Sequence, residues 1–132
     1  MSASKNPNAS TFAVTLDLAT GERRWTALPA PCGDRPNCSP ALSAAASVIA
    51  RAVFSGSEDG HLRALSTTDG KVIWDVDTER DYETVNGAKA NEGSLNGPGL
   101  VISHGILYVN SGDGLWRGVP GNVLLAFSID GK

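Results

Sequence analysis

The chain has 132 residues, and its formal net charge of −3 leaves no excess of basic residues of the kind a nucleic-acid partner would require. A hydrophobic content of 41% is enough for a packed core, which excludes wholesale disorder. The longest apolar-leaning stretch, Leu42 to Ala50, is broken by Ser43 and Ser47 and falls far short of the ~20 residues a membrane span needs.

Residues 1–10 are polar and lack the apolar core of a secretory signal. They are expected to be disordered or the cut edge of a longer sequence, with Met1 an internal or artificial start. Residues 11–132 carry an internal repeat, and the repeat decides the fold. Thr15-Leu-Asp-Leu-Ala-Thr-Gly-Glu-Arg-Arg-Trp25 lines up with Ala64-Leu-Ser-Thr-Thr-Asp-Gly-Lys-Val-Ile-Trp74. Each copy reads as a strand, a turn closed by Gly21 or Gly70, and a second strand carrying a tryptophan. Residues 11–27 are therefore a hairpin.

The segment 28–43 is a long loop. It contains Pro31-Cys-Gly-Asp-Arg-Pro-Asn-Cys38, whose two cysteines are the only ones in the chain. Two Cys and two distant His are too few for a structural zinc site. A disulfide between Cys32 and Cys38 pinning the loop is the preferred expectation, with free thiols as the alternative; a disulfide would imply an oxidising compartment.

Four antiparallel strands are expected next, at about 44–49, 52–57, 61–66 and 71–76. Asp59-Gly60 and Asp69-Gly70 mark the hairpin turns, because glycine accepts the positive φ they demand. Composition alone would make 41–50 a helix. Its place before the Val53-Phe54 strand favours an inner strand of small residues instead. The polar segment 77–98 is a long link, and 99–131 supplies three more strands around Ile106-Leu-Tyr-Val-Asn110 and a third partial repeat, Ala126-Phe-Ser-Ile-Asp-Gly131.

Four-stranded units recurring at this interval are blades of a β-propeller. The fold class is all-β: two to three blades over 11–27, 44–76 and 99–131, a part of a larger ring. Gly21, Trp25, Gly70 and Trp74 are expected to dock one blade on the next, since an indole at one repeat position buries a large surface between sheets. The short turns fall on one side of the blades. The long segments 28–43, 77–98 and 112–121 fall on the other, the side on which a rigid scaffold would present a site. The 77–98 link is dense in carboxylates and amides, with oxygens suited to a polar cofactor or a hard cation, and Trp116 lies in an insertion suited to covering a ligand. His61 and His104 receive no role.

The Trp-bearing copies resemble the tryptophan-docking motif of quinoprotein propellers, keeping Asp17, Thr20, Gly21 and Trp25 in one and Ala64, Gly70 and Trp74 in the other. A closer resemblance covers about 30–132. Phe54-Ser-Gly-Ser-x-Asp-Gly-His-Leu-Arg63, Val85-Asn-Gly-Ala-Lys-Ala-Asn91, Ser94-Leu-Asn-Gly-Pro-Gly99 and Leu107-Tyr-Val-Asn-Ser-Gly112 look like the C-terminal part of polyvinyl alcohol dehydrogenases.

That resemblance implies an oxidoreductase that uses pyrroloquinoline quinone (PQQ) with Ca²⁺ to oxidise secondary alcohols, polymeric ones included, and is inactive as this piece alone. It further implies a periplasmic or secreted enzyme, the remaining blades of a parent chain, and a cytochrome c-type electron acceptor. By position in the family pattern, Asp113 becomes the candidate metal ligand; by position in the polar link and the insertion, Lys89, Asn91, Asn96 and Trp116 become the candidate cofactor contacts. Where the family carries its catalytic base this chain reads Pro120-Gly121-Asn122, so the base is unassigned, with nothing to choose Asp81 or Glu83 for the role. The rival expectation is a non-catalytic propeller serving protein binding or outer-membrane assembly, because the docking motif alone is shared with such proteins.

Overall fold

The computed structural model describes residues 13–28, 31–34, 38–91, 93–97, 99–110 and 119–129. All regular elements among them are strands: β1 (Ala13–Leu16), β2 (Arg23–Ala27), β3 (Ser47–Ile49), β4 (Ala52–Gly56), β5 (His61–Ser66), β6 (Val72–Asp77), β7 (Asp81–Glu83), β8 (Lys89–Asn91), β9 (Val101–Ser103), β10 (Ile106–Asn110) and β11 (Leu124–Ser128). They form antiparallel sheets ordered β1-β2, β3-β4-β5-β6 and β9-β10-β11, with β7-β8 as a separate hairpin. Two, four and three strands in succession is the partial propeller that the repeat predicts.

The turns explain why the chain folds back where it does. Gly60 and Gly70 have φ of 77° and 72°, and His104 and Gly105 both have positive φ in the two-residue turn joining β9 to β10. That pair of left-handed residues gives a turn whose twist matches the strands it joins. The Ala-rich stretch forms no helix. Strand β3 begins at Ser47 rather than 44, because Ala44 and Ala45 are taken up by the link: Ala44 bridges Gly97 in parallel, and the Ala45 N–H donates to the Gly97 carbonyl at 3.3 Å.

The central sheet shares its two faces between its neighbours. On one face Leu62 joins Leu95, Leu100, Leu107 and Val109 in the apolar core, with Phe54, Val76, Ile102, Leu125 and Phe127 packed around it. This face meets the third sheet. Trp74 lies edge-on to Phe54 and Phe127, at centroid distances of 6.5 and 5.5 Å. At the rim of the same interface the sheets part around an apolar cavity of about 410 Å³ bounded by Ile49, Ala52, Trp74, Ile106 and Ile129.

The first sheet docks through Trp25. Its indole N–H donates to the Thr67 carbonyl at 2.9 Å. Its ring covers Gly70, where a Cβ would stand 2.5 Å from Trp25 Cε3, so Gly70 is required both by its φ and by the close approach. A register shift falls between Thr15 and Leu16 in β1 and again between Ala64 and Leu65 in β5, opposite each tryptophan. These are the same two repeat positions.

Candidate functional site

Hydrogen bonds gather the long segments into one layer, as their distribution along the chain implies. The Glu58 N–H donates to the Ala41 carbonyl at 3.1 Å, and the Leu95 N–H to the Ser57 carbonyl at 3.2 Å. Ser94, 1% exposed, is the clasp. Its hydroxyl donates to the Glu58 carbonyl at 2.9 Å and accepts from the Val119 N–H at 2.8 Å. Its own N–H donates to the Val119 carbonyl at 2.9 Å. A Cβ on the preceding Gly93 would run into that carbonyl, so the close approach of the two loops needs glycine there.

Within this layer part of the link, expected as loop, folds into the β7-β8 hairpin. Its turn spans Thr84 to Ala88, closed by the Gly87 N–H donating to the Thr84 carbonyl at 2.9 Å. Asn86 Oδ1 accepts the Ala88 N–H at 3.1 Å, and Gly87 has φ of 78°. Asn86-Gly87 is a hairpin dipeptide of the strongest kind, and it was the signal available. Pairing sets Asp81 against Asn91, Tyr82 against Ala90 and Glu83 against Lys89.

Because side chains alternate along a strand, Asp81, Glu83, Lys89 and Asn91 share one face. Two of the candidate cofactor contacts thus stand beside the two unassigned carboxylates, and together with Tyr82 and Ala90 these residues line a recess of about 310 Å³. Tyr82 anchors the hairpin from the other face. Its hydroxyl donates to the Thr78 carbonyl at 3.1 Å, and the Arg80 guanidinium lies 4.9 Å over its ring.

The candidates differ in what they have left to offer. Asn91 is already engaged: its Nδ2 donates to the Pro120 carbonyl at 2.9 Å and its N–H to Asn122 Oδ1 at 3.0 Å. It ties β8 to the loop before β11, a positioning role. Asn96 is the opposite case. Its Nδ2 is buried and has no hydrogen-bond partner among the described residues, an arrangement that costs ~1–3 kcal/mol unless an acceptor arrives. Asp113 and Trp116 lie outside the described residues.

Cys32 and Cys38 are joined in a disulfide with a Cα–Cα distance of 5.9 Å. Their sulfurs and an Asp59 carboxylate oxygen lie within 4.8 Å of one another, but a disulfide offers no thiolate, and thiolate is the ligand form.

Beside that loop is a buried charge network that no local pattern of residues locates. Arg63 is 4% exposed and Asp59 6%. Arg63 Nη2 donates to Asp59 Oδ2 at 2.9 Å, Nη1 to Ser57 Oγ at 2.7 Å, and Nε to Asp75 Oδ2 at 3.2 Å. His61 Nδ1 stands 2.6 Å from Asp75 Oδ1, so His61 has the setting that the sequence reading withheld from it. Burial pushes the Asp59 carboxyl up, but hydrogen bonds from Arg63, Ser57 and the His61 N–H, with the guanidinium charge, outweigh it and hold the group below its ordinary value. Burial likewise opposes the charge on Arg63, and the bonds to Asp59 and the fields of Asp59 and Asp75 raise it.

No protein-family model matches the chain. In sequence it is 47% identical over 133 residues to a polyvinyl alcohol dehydrogenase of Sphingopyxis sp. strain 113P3, across 89% of this chain and 20% of that protein. It is 47% identical over 104 residues to a polyvinyl alcohol dehydrogenase of Pseudomonas sp., across 72% of this chain and 16% of that protein. The chain is thus similar to polyvinyl alcohol dehydrogenases, as its motifs indicate, and spans about a fifth or less of the length of these relatives.

Proposed function

We propose that this chain is a propeller portion of a PQQ-dependent dehydrogenase that oxidises secondary alcohols, polymeric ones included. The observation that carries the proposal is the 47% identity to polyvinyl alcohol dehydrogenases over 89% of the chain. The geometry of the loop layer is compatible with it. When bound, PQQ supplies a carbonyl that accepts hydride, and a Ca²⁺ ion polarises that carbonyl.

The orphaned Asn96 Nδ2 fits a cofactor acceptor, being a buried donor without a partner among the described residues. Lys89, exposed on the polar face of β7-β8, offers an ammonium to quinone oxygens or carboxylates. Asp113 stands in the proposal on family position alone, as metal ligand, and Trp116 on its place in a loop insertion, as ligand cover. A carboxylate must take the hydroxyl proton of the alcohol; Asp81 and Glu83 face the same recess as Lys89, and neither is assigned the role. The disulfide supports a periplasmic or secreted setting, where such bonds persist, and electrons would leave to a cytochrome c-type acceptor.

The test is titration of the protein carrying this chain with PQQ and Ca²⁺, followed by dye reduction with secondary alcohols. Saturable binding weakened by Asn96→Ala and Lys89→Ala is the expected result. Absence of PQQ binding, with a stable protein partner recovered instead, would replace the enzyme by a propeller scaffold.

A further inference from the structure

The disulfide loop and the buried ion pair meet at one place, and the contact has a use beyond the cofactor reading. The sulfurs of Cys32 and Cys38 lie against the Asp59 carboxylate. Asp59 is the group that keeps Arg63 paired inside the protein. Arg63 and His61 from β5 and Asp75 and Asp77 from β6 are further ionisable groups of this network. Asp59 also belongs to the turn on which the whole loop layer hangs. The Ser57 and Glu58 carbonyls receive Leu95 and Ser94 of the link, the Gly60 carbonyl receives the Thr78 N–H, and the Glu58 N–H reaches the loop at Ala41.

We propose that the Cys32–Cys38 disulfide is a redox-sensitive lock on this turn. Closed, it lies over the Asp59–Arg63 pair and keeps water from it. Opened, it hydrates the pair and loosens the turn that carries the β7-β8 hairpin. The chemistry is thiol–disulfide exchange with a reducing dithiol. One thiolate of the dithiol attacks a cysteine sulfur, forming a mixed disulfide and releasing the other cysteine as thiolate. The second thiolate of the dithiol then attacks the mixed disulfide and releases the first cysteine. Two electrons pass to the protein, the reductant leaves as a disulfide, and two protons complete the thiols of Cys32 and Cys38.

The physical basis is the cost of a wet or dry charge pair. Inside a protein an ion pair depends on complete hydrogen bonding and exclusion of solvent, and Asp59 receives that bonding from Arg63, Ser57 and the His61 N–H. A covalently closed loop holds its cover in place at little further entropic cost. An open one must order itself against its own chain entropy. With only two cysteines in the chain, a dithiol has one target.

The experiment is amide hydrogen exchange on the full chain, oxidised and then treated with a dithiol, with no cofactor present. Reduction is expected to speed exchange at His61, Thr78 and Leu95 by about tenfold or more, because local opening sets those rates. Leu65 and Val109, inside the sheets, should keep theirs. The Cys32→Ser/Cys38→Ser variant should exchange at the fast rate with or without dithiol. Unchanged rates at His61, equal acceleration at Leu65 and Val109, or a variant that still responds to dithiol would each overturn the lock. If that variant does not fold, the comparison of oxidised and reduced wild type decides alone. PQQ binding can fail without touching any of these readouts.

Discussion

The two faces of the central sheet solve the same problem by different means. Toward the third sheet, Leu62 and its neighbours bury apolar area, and contact is tolerant enough to leave a 410 Å³ gap at the rim. Toward the first sheet, contact rests on a directed bond from the Trp25 indole to Thr67, and on the face opposite Leu62 the central sheet buries the Arg63 fork to Asp59, Ser57 and Asp75 among its own strands and turns. The tryptophans record the difference, Trp25 being 9% exposed and Trp74 37%. An apolar contact degrades gradually with area, whereas a buried charge loses a large share of its support with one partner.

The sharpest way to break the comparison is on the polar face. Asp59→Asn removes the buried carboxylate from Arg63, leaving only the part-exposed Asp75 as countercharge, and should cost about 3–5 kcal/mol, read as a shift in the guanidinium midpoint. On the apolar face, Leu62→Ala should cost about 3 kcal/mol through lost burial and a residual cavity. A cost there above that of Asp59→Asn would reverse the ranking of the faces. Trp25→Phe removes the bond to Thr67 and should cost about 1 kcal/mol. Trp74→Phe, at the partly open site, should stay within about 0.5 kcal/mol.

Acid separates the faces without mutation. The folded pKa of Asp59 lies below its ordinary value, so the pair stabilises the fold above the unfolded carboxyl pKa of about 3.9, and that contribution is lost as pH falls through the lower folded value. The stability difference between wild type and Asp59→Asn should therefore be constant from pH 5 upward, to within about 0.5 kcal/mol, and shrink below about pH 4. A difference that persists unchanged in acid would mean that the charge on Asp59 does not support this face.

What the sequence made legible follows from which forces leave a pattern. Strand β5 falls at 61–66 as expected, and β4 and β6 within a residue, because hydrophobic runs between Asp-Gly turns are a local signal. The start of β3 was misjudged because Gly97, more than fifty residues away, claims Ala44 and Ala45. Hairpin β7-β8 was missed because its strands are polar and short, and only Asn86-Gly87 announced it. Arg63 could not be recognised as buried, since burial of a charge depends on Asp59, Ser57 and Asp75 arriving together. Of the candidate site, the gathering of long loops on one face was readable from strand order. The engagement of Asn91 with Pro120, in contrast to the Nδ2 of Asn96, which has no partner among the described residues, depends on loop packing that no spacing encodes.

The paired register shifts have one further consequence. Leu65 pairs with Val72 while Ala64 pairs with Trp74, so Ile73 is supernumerary and the outer strand changes phase there. Two residues apart in sequence, Val72 and Trp74 consequently look in opposite directions. Arg23 and Trp25 do the same around Arg24 in the first sheet. Trp25 is thereby turned onto Gly70 of the next sheet and Trp74 toward Phe127, while Arg23 and Val72 are left exposed. The extra residue makes each outer strand a coupling with a built-in direction, and its recurrence means that the repeat copies a sense of rotation along with its residues.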